Sequence, residues 1–220
     1  MIKIALTGDG GRDIKENFED KHIFSYPKPI DLIKHLLIIG SKNGDFVLDF
    51  FAGSGTTAQA VMELNKEDGG NRKFILVQLP EKTDESSEAY KAKYFTIADI
   101  CKERIRRVIE RINRKGAETQ GEIFAPSRLS GEVPGFKVFK LVPSNFKMWR
   151  SDVIETEEDL NKMIDLFDTQ IKPDAKIENM LYELMLKSGF TLTEKIEKVN
   201  GYYSVNEGKL FLCWIRLTRT

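Results

Sequence analysis

The chain has few of the residues that build disulfide frameworks and metal sites. Its 220 residues include two cysteines, Cys101 and Cys213, and two histidines, His22 and His35. Two cysteines cannot form a disulfide framework, and neither histidine stands at ligand spacing from a partner. The sequence therefore predicts no metal site and no disulfide scaffold, which is typical of a cytoplasmic protein.

Long apolar runs and an excess of one charge are also missing. No apolar run reaches the roughly 18 residues of a membrane helix, and the apolar start is too short for a signal peptide, so we predict no membrane association. The 34 Lys and Arg residues balance 34 Asp and Glu residues. Neutrality argues against a chain that coats nucleic acid by bulk positive charge. At 41% hydrophobic residues, the chain has enough apolar material for a folded core.

The zero net charge hides two charged blocks. Residues 102–115 hold seven basic and two acidic residues, whereas residues 151–168 hold seven acidic residues and one basic residue. Apolar positions in and before the basic block recur at helical spacing, namely Ile97, Cys101, Ile105, Val108 and Ile112. We interpret both blocks as solvated faces of helices. The alternative is that the arginines at 104, 106, 107 and 111 contact phosphates.

The pattern of the first half predicts an α/β fold. We expect a helix over residues 30–39 with Ile30, Ile33, Leu36 and Leu37 inward, a buried strand over 46–51, a helix over 56–65 and a strand over 74–79. A strand, a helix and a strand within such a short stretch form a βαβ unit with a parallel sheet. Residues 1–22 are weakly patterned, and we interpret residues 8–11 (GDGG) as a connecting turn.

The second half has a different pattern, which predicts a small α+β domain. Glycine and proline cluster between residues 116 and 135. We place a cofactor-binding domain at 1–120, a linker at 121–135 and the tail domain at 136–220. The tail is predicted to contain a strand at 136–141, helices at 156–168 and 174–188 (the latter with Ile177, Leu181, Leu184 and Met185 inward), and antiparallel strands within 190–217. Asn200-Gly201 and the triplet at 206–208 (NEG) predict the hairpin turns.

The segment at 47–57 (VLDFFAGSGTT) carries the chemistry. A strand runs into Gly53-x-Gly55, and the glycines allow a tight turn before a helix whose free amides can meet a polar ligand. This predicts a nucleotide-type cofactor pocket; the alternative is a tight turn without a ligand. The same glycines with Ala58 fit a dinucleotide fingerprint, but no lysine follows to make a phosphate loop. Asp49 would oppose a pyrophosphate yet accept hydrogen bonds from an ammonium group, which favours S-adenosylmethionine over NAD.

These residues resemble motif I of amino-methylating DNA methyltransferases of the permuted, beta-type order. The segment at 24–33 (FSYPKPIDLI) resembles their motif X, which directly precedes motif I in that group. Residues 62–81, with segments in the tail at 136–147 and 181–190, are similar to the modification (Mod) subunit of type III restriction-modification systems. The resemblance implies a Rossmann-like, S-adenosylmethionine-dependent methyltransferase half-domain, followed by the carboxyl-terminal α+β domain of an adenine-N6 DNA methyltransferase.

The resemblance also implies roles for individual residues. Lys28 and Pro29 would line the methionine end of the cofactor. The main cradle would be formed by the motif I residues Asp49, Phe51, Gly53, Ser54, Gly55 and Thr56. The family has an acidic residue at the end of the second strand to hold the ribose hydroxyls. Gln78 occupies that place here, and Glu81, three residues on, is a substitute.

The resemblance further implies that parts of the enzyme are missing. The family holds its target adenine with an Asp-Pro-Pro-Tyr type motif, and the seven prolines of this chain include no adjacent pair. Residues 143–146 (PSNF) are interpreted as a tail loop and not as a base pocket. In the beta-type order the catalytic motif and target reader precede motif X, where this chain has only 23 residues before Phe24. We therefore assign no catalytic residue.

Several functional alternatives follow from this expectation. The chain is predicted to bind the cofactor weakly, if at all, and not to methylate DNA alone. It would reach DNA through the missing part of its parent, and its tail would contact a restriction subunit or a second copy. The alternatives are a non-catalytic interaction module, one half of a split methyltransferase, and a nicotinamide enzyme.

Overall fold

A computed structural model describes residues 7–19, 21–118, 135–166 and 170–213. The chain divides into two compact units, Met1–Gly135 and Phe136–Thr220. Each unit is described here by itself. The predicted linker at 121–135 falls almost entirely outside the described residues, so the predicted domain boundaries stay predictions. None of the described helices is long and apolar enough to cross a membrane.

The first unit alternates helices with two short strands. Its elements in chain order are α1 (Thr7–Asn17), α2 (Ile30–Gly40), β1 (Phe46–Asp49), α3 (Thr56–Asp68), β2 (Lys73–Leu76), α4 (Glu88–Lys91) and α5 (Ile97–Glu118). β1 and β2 pair in parallel, with Phe46 opposite Lys73 and Asp49 opposite Leu76. The predicted strand–helix–strand unit is therefore confirmed, although both strands are shorter than their apolar runs.

The described part of the first unit covers only one face of this parallel pair. Val47 and Phe74 pack against a core made by α2 and α3, which includes Leu37, Val61 and Leu64. The opposite face, the open sheet face, consists of Phe46, Leu48, Ile75 and Val77. Each of these side chains is about half exposed. The prediction of a buried strand is wrong for β1, because no described element packs on the open sheet face and Phe46 and Leu48 are about half exposed.

Helix α1 was not expected, because glycines in a polar stretch are poor helix formers. Tertiary packing stabilises it instead: Ile14 and Phe18 are buried with Ile23, Ala89 and Ile100. Gly10 fits tightly, since a Cβ at that position would lie 2.1 Å from the carbonyl oxygen of Pro27. The predicted turn at residues 8–11 is therefore wrong, and the first glycines of the chain belong to a helix that packs on the segment before α2.

The helices α2, α3 and α5 are joined by a group of charges as well as by their apolar faces. Glu63 on α3 lies 2.8 Å from Lys34 Nζ on α2 and 2.7 Å from Arg111 Nη2 on α5. Burial opposes ionisation of Glu63, but hydrogen bonds from Lys34 and Gln59 outweigh it and lower the pKa of Glu63. On α2 the predicted inward position of Leu36 is wrong, because this side chain is 57% exposed.

The second unit is a small α+β unit. It contains a short 3-10 helix (Ser151–Val153), α6 (Glu157–Leu166), α7 (Ile177–Lys187) and the strands β3 (Ile196–Val199), β4 (Tyr202–Val205) and β5 (Leu210–Leu212). The strands form an antiparallel sheet in the order β3-β4-β5. Leu181 and Met185 of α7 pack against Val205. Both predicted turns are confirmed, with left-handed backbone at Gly201, Asn206, Glu207 and Gly208.

Two expectations for the second unit are wrong. Residues 136–141 form no strand, and Leu141 is 99% exposed, because no partner strand lies beside this segment in the described part of the unit. Ile177 is 49% exposed, whereas Met180 takes the inward position at the start of α7. The ends of two predicted elements, at 167–168 and 214–217, fall outside the described residues.

Candidate functional site

A left-handed turn connects the end of β1 to the start of α3. Gly53 has a φ of +52° and Gly55 a φ of +82°, a region that other residues rarely adopt. A Cβ on Gly55 would lie 3.0 Å from the Sγ of Cys101 on α5. Burial raises the pKa of Cys101 to about 11, so its thiol stays protonated and packs as an apolar group. Position 55 thus requires glycine for two reasons: its backbone is left-handed, and the Cys101 side chain leaves no room for a Cβ.

Asp49 holds the turn from the carboxyl end of β1. Its Oδ1 accepts a hydrogen bond from the Phe51 N–H at 3.0 Å, and its Oδ2 accepts one from the Thr57 hydroxyl at 2.6 Å. A carboxylate offers about four lone-pair positions, so each oxygen retains acceptor capacity. Asp49 is half-buried and is therefore fixed in orientation yet still able to accept from a ligand. Thr57, which the sequence did not single out, contributes to this fixation.

Gln78 ties the turn to the end of β2. Its Oε1 accepts a hydrogen bond from the Gly53 N–H at 2.7 Å, and its Nε2 donates to the carbonyl oxygen of Leu79 at 3.1 Å. Backbone bonds from Val77 to Asp49 and from Ala52 to Val77 reinforce the connection. The oxygen and the nitrogen of the Gln78 amide thus each have a hydrogen-bond partner in the protein. A ribose contact for Gln78 stays a prediction.

The motif X segment reaches the same turn through an aromatic ring. The Phe24 ring lies 3.5 Å from the position that a Cβ on Gly53 would occupy. Pro29 is buried and directly precedes α2, whereas Lys28 is exposed. Phe51, at the turn itself, is 88% exposed. The structure therefore brings residues 24, 49, 53 and 78 together at the carboxyl ends of the two strands.

Two of the predicted site residues are not joined to this group. Lys28 and Glu81 have exposed side chains, and no hydrogen bond or ion pair connects either of them to the turn within the described residues. Their assignment therefore remains a prediction from resemblance alone. The described residues also contain no group of three or more histidine, cysteine and acidic side chains that could hold a metal ion.

Arg104 underlies the turn from α5, where the sequence predicted a solvated arginine. Its side chain is fully buried, and its guanidinium donates to Ser54 Oγ at 2.9 Å, Thr56 Oγ1 at 2.8 Å and Gln59 Oε1 at 2.7 Å. Arg106 by contrast is largely exposed, as predicted. The sequence did contain a signal for this burial, because residue 104 lies seven residues after Ile97 and four before Val108, on the apolar stripe of the helix.

Residues 143–146 belong to the second unit and are held by α7. The Ser144 hydroxyl donates to Glu183 Oε1, and the Asn145 backbone and side-chain nitrogens donate to Glu183 Oε2 at 2.8 and 3.1 Å. Burial opposes ionisation of Glu183, but the hydrogen bonds from Ser144, Lys187 and Asn145 outweigh it and lower the pKa of Glu183 to about 2. The polar groups of this loop thus have structural partners.

Comparison with known proteins shows what the part of the chain that contains this site is similar to. Residues 10–110, which include both motif segments, the turn and Arg104, match the family model for DNA methylase, N6_N4_Mtase. This match covers slightly less than half of the chain, and over these residues the chain is similar to that family of DNA methylases.

The relatives narrow the class further. The chain is 42% identical over 120 residues to the type III restriction-modification enzyme StyLTI Mod subunit of Salmonella typhimurium. It is 34% identical over 200 residues to the EcoPI Mod subunit of Escherichia phage P1, and 34% identical over 204 residues to the EcoP15I Mod subunit of Escherichia coli. The chain is thus a methyltransferase-like protein related to the Mod subunits of type III restriction-modification enzymes.

These alignments cover very different shares of the two partners. They include 54%, 90% and 91% of this chain for StyLTI, EcoPI and EcoP15I respectively. The same alignments span 18%, 28% and 28% of those relatives. The chain therefore corresponds to less than a third of the length of each of these Mod subunits.

Proposed function

We propose that the first unit is the S-adenosylmethionine-binding part of an adenine-N6 DNA methyltransferase of the type III restriction-modification kind, with a Rossmann-like half-domain fold. The observation that carries the proposal is the turn at residues 49–57, which Asp49 and Gln78 anchor at the carboxyl ends of parallel strands. Ligands of open α/β sheets bind at that edge. When bound, S-adenosylmethionine supplies the methyl group.

The residues of the turn fit such a ligand chemically. The two glycines allow the left-handed backbone of the turn, and Asp49 retains acceptor capacity for an ammonium group. The exposed ring of Phe51 is free to stack against a base. We assign Lys28 and Pro29 to the methionine end, and Ser54, Gly55 and Thr56 to the cradle. Glu81 is the better candidate for the ribose hydroxyls, because its carboxylate is exposed whereas the amide of Gln78 already bonds to Gly53.

We further propose that these 220 residues do not methylate DNA alone. They contain no Asp-Pro-Pro-Tyr motif, and no described residue covers the open sheet face of the parallel pair. Parallel sheets are normally covered on both faces. Contact with DNA is accordingly assigned to polypeptide beyond this sequence. For the second unit we propose contact with a restriction subunit or with a second copy of the chain.

Calorimetry with S-adenosylhomocysteine tests the cofactor site. The unmodified chain should release or absorb heat on titration, and Asp49→Asn should weaken binding by about tenfold or more, because an amide loses the charge-assisted hydrogen bond to the ammonium group. Glu110→Ala is the matched control, since Glu110 is an exposed carboxylate on α5, and it should bind as the unmodified chain does.

The same titration distinguishes the other candidate functions. Absent heats for every variant would reject the cofactor site and favour a non-catalytic interaction module, for which the open sheet face is the supporting observation. Heat on titration with NAD instead would favour a nicotinamide enzyme. Binding of S-adenosylhomocysteine together with a need for a second polypeptide in methyl transfer would favour a split methyltransferase.

A further inference from the structure

Arg104 contacts both the turn and the helix that follows it from the interior of the unit. Its Nη1 donates to the hydroxyls of Ser54 and Thr56, and its Nε donates to Gln59. The remaining terminal nitrogen, Nη2, is buried and has no hydrogen-bond partner among the described residues. The orientation of the guanidinium is therefore set by the three acceptors on the turn and on α3.

A buried guanidinium also needs a compensating negative charge. Burial lowers the pKa of Arg104 to about 10, and Asp13 on α1 is the anion that most favours its charged form. Asp13 in turn accepts a hydrogen bond from the Ile30 N–H at 2.9 Å, at the start of α2 and directly after Lys28 and Pro29. Arg104 of α5 therefore bonds to the turn, while Asp13 of α1, which favours its charged form, bonds to the start of α2 within the motif X segment.

Contacts around this pair connect the same two segments. Asn17 of α1 donates to Gln59 Oε1 at 3.1 Å, the oxygen that also accepts from Arg104. Gly10 of α1 lies against the carbonyl of Pro27, close enough that a Cβ would clash. The motif X segment and the turn therefore rest on one buried polar layer made by α1 and α5, although their nearest ends, residues 33 and 49, are 16 residues apart in sequence.

We propose that Arg104 is a positioning residue for the cofactor site: it fixes the hydroxyls of Ser54 and Thr56 from below and, with Asp13, sets the turn against the segment at 27–30. The ligand in this proposal rests on the proposed function. The positioning itself does not, because it concerns the geometry of the turn in the free protein. A guanidinium suits the role, since its planar fork reaches several acceptors in fixed directions.

The test compares Arg104→Met with Arg104→Lys and with Arg111→Met in the full chain. Methionine removes the donors but keeps much of the volume, and lysine keeps the charge with a less directional donor set. Arg111 is the matched control, because it also lies on α5 and binds a residue of α3, Glu63, without contacting the turn. Two quantities are measured: amide hydrogen exchange at residues 51–57 relative to residues 60–64, and the Kd of S-adenosylhomocysteine at a temperature where all variants are folded.

We expect Arg104→Met to accelerate exchange selectively at residues 51–57 and to raise the Kd by about tenfold or more, with partial rescue by lysine. Arg111→Met should lower the Tm but leave the exchange ratio unchanged. An unchanged ratio in Arg104→Met, or the same change in Arg111→Met, would overturn the proposal. If the unmodified chain binds no S-adenosylhomocysteine, the proposed function fails while the exchange ratio still decides the positioning role. Should Arg104→Met not fold, Ser54→Ala takes its place, with faster exchange at residues 51–57 as the expected result.

Discussion

At the scale of single residues, the site depends on groups that satisfy one another before any ligand arrives. Asp49 accepts from Phe51 and Thr57, and Gln78 accepts from Gly53. A turn that is hydrogen-bonded in the free protein loses less conformational entropy when a ligand binds. The left-handed backbone at Gly53 and Gly55 makes these bonds geometrically feasible, which is why the glycines are the most sensitive positions of the turn.

Substitution of Gly55 is expected to destabilise the chain through two separate effects. Gly55→Ala forces a side chain into left-handed backbone, which costs about 1–2 kcal/mol, and it also places the Cβ against Cys101 Sγ. Gly44→Ala is the matched control, because Gly44 has a φ of +86° with nothing within 4 Å of the added Cβ. We predict that Gly55→Ala costs about 1 kcal/mol more than Gly44→Ala in urea unfolding followed by circular dichroism.

A double substitution separates the steric effect from the backbone effect. Cys101→Ala removes the sulfur that the new Cβ would meet, so the extra cost of Gly55→Ala should disappear in that background. An equal cost of Gly55→Ala with and without Cys101 would show that the clash contributes nothing and that the backbone angle alone requires glycine.

At the scale of elements, the sequence predicted what depends on local periodicity. β1, α3 and β2 were predicted because apolar residues with strand and helix periods stand on both sides of a glycine turn. α1 was missed because its stabilisation comes from Ile14 and Phe18 packing on distant residues, while its own glycines disfavour a helix. The position of Arg104 on the apolar stripe of α5 indicated its burial, but its acceptors are 45 to 50 residues away, and no local pattern reveals them.

In the second unit, one carboxylate connects an irregular segment to a helix. Glu183 of α7 accepts hydrogen bonds from Ser144 and Asn145 and lies 2.9 Å from Lys187 Nζ. Residues 144–146 belong to no helix or strand, and their position is fixed by these bonds to α7 together with a backbone bridge between Phe146 and Ile171. The strength of this connection depends on Glu183 being ionised.

This dependence predicts an acid sensitivity of the second unit. Hydrogen bonds lower the pKa of Glu183 to about 2 in the folded protein, below its ordinary value of 4.5. A lowered folded-state pKa gives stability that is present above the unfolded value and is lost as the pH falls through the folded one. The stability of the unmodified chain should therefore decline between roughly pH 4.5 and pH 2.

Glu183→Gln and Glu178→Gln test that assignment. Glu183→Gln should be less stable at neutral pH and should show a smaller decline over the acid range, measured by thermal unfolding. Glu178 is an exposed glutamate on the same helix, so Glu178→Gln should follow the unmodified chain. Identical pH profiles for all three proteins would mean that the bonds to Ser144 and Asn145 add no stability.

At the scale of the whole molecule, two observations indicate that the first unit corresponds to part of a larger domain: the exposed apolar surface of its described residues and the greater length of the relatives. β1 and β2 form a two-stranded parallel sheet with one face about half exposed, and α2 also leaves Leu36, Ile38 and Ile39 exposed. A sheet of this kind normally lies inside a larger α/β domain. The Mod relatives, of which the chain spans 18–28%, contain the additional length that such a domain needs.

We therefore predict that methyl transfer requires a second polypeptide that covers the open sheet face. The chain alone should transfer no labelled methyl group from S-adenosylmethionine to DNA. The chain mixed with the remainder of the EcoPI Mod subunit, which supplies the part that this chain does not span, should do so. Ile75→Lys places a charge on the open sheet face and should abolish the activity of the mixture, because burial of an unpaired ammonium group is costly.

The control for this prediction is Ile164→Lys on α6, an apolar residue of the second unit that is about as exposed as Ile75. It should leave the activity of the mixture intact, and both lysine variants should bind S-adenosylhomocysteine like the unmodified chain. Methyl transfer by the chain alone would contradict the need for a partner. Full activity of the mixture with Ile75→Lys would be consistent with a partner but would show that it does not contact the open sheet face, because a lysine cannot be buried there without loss of affinity.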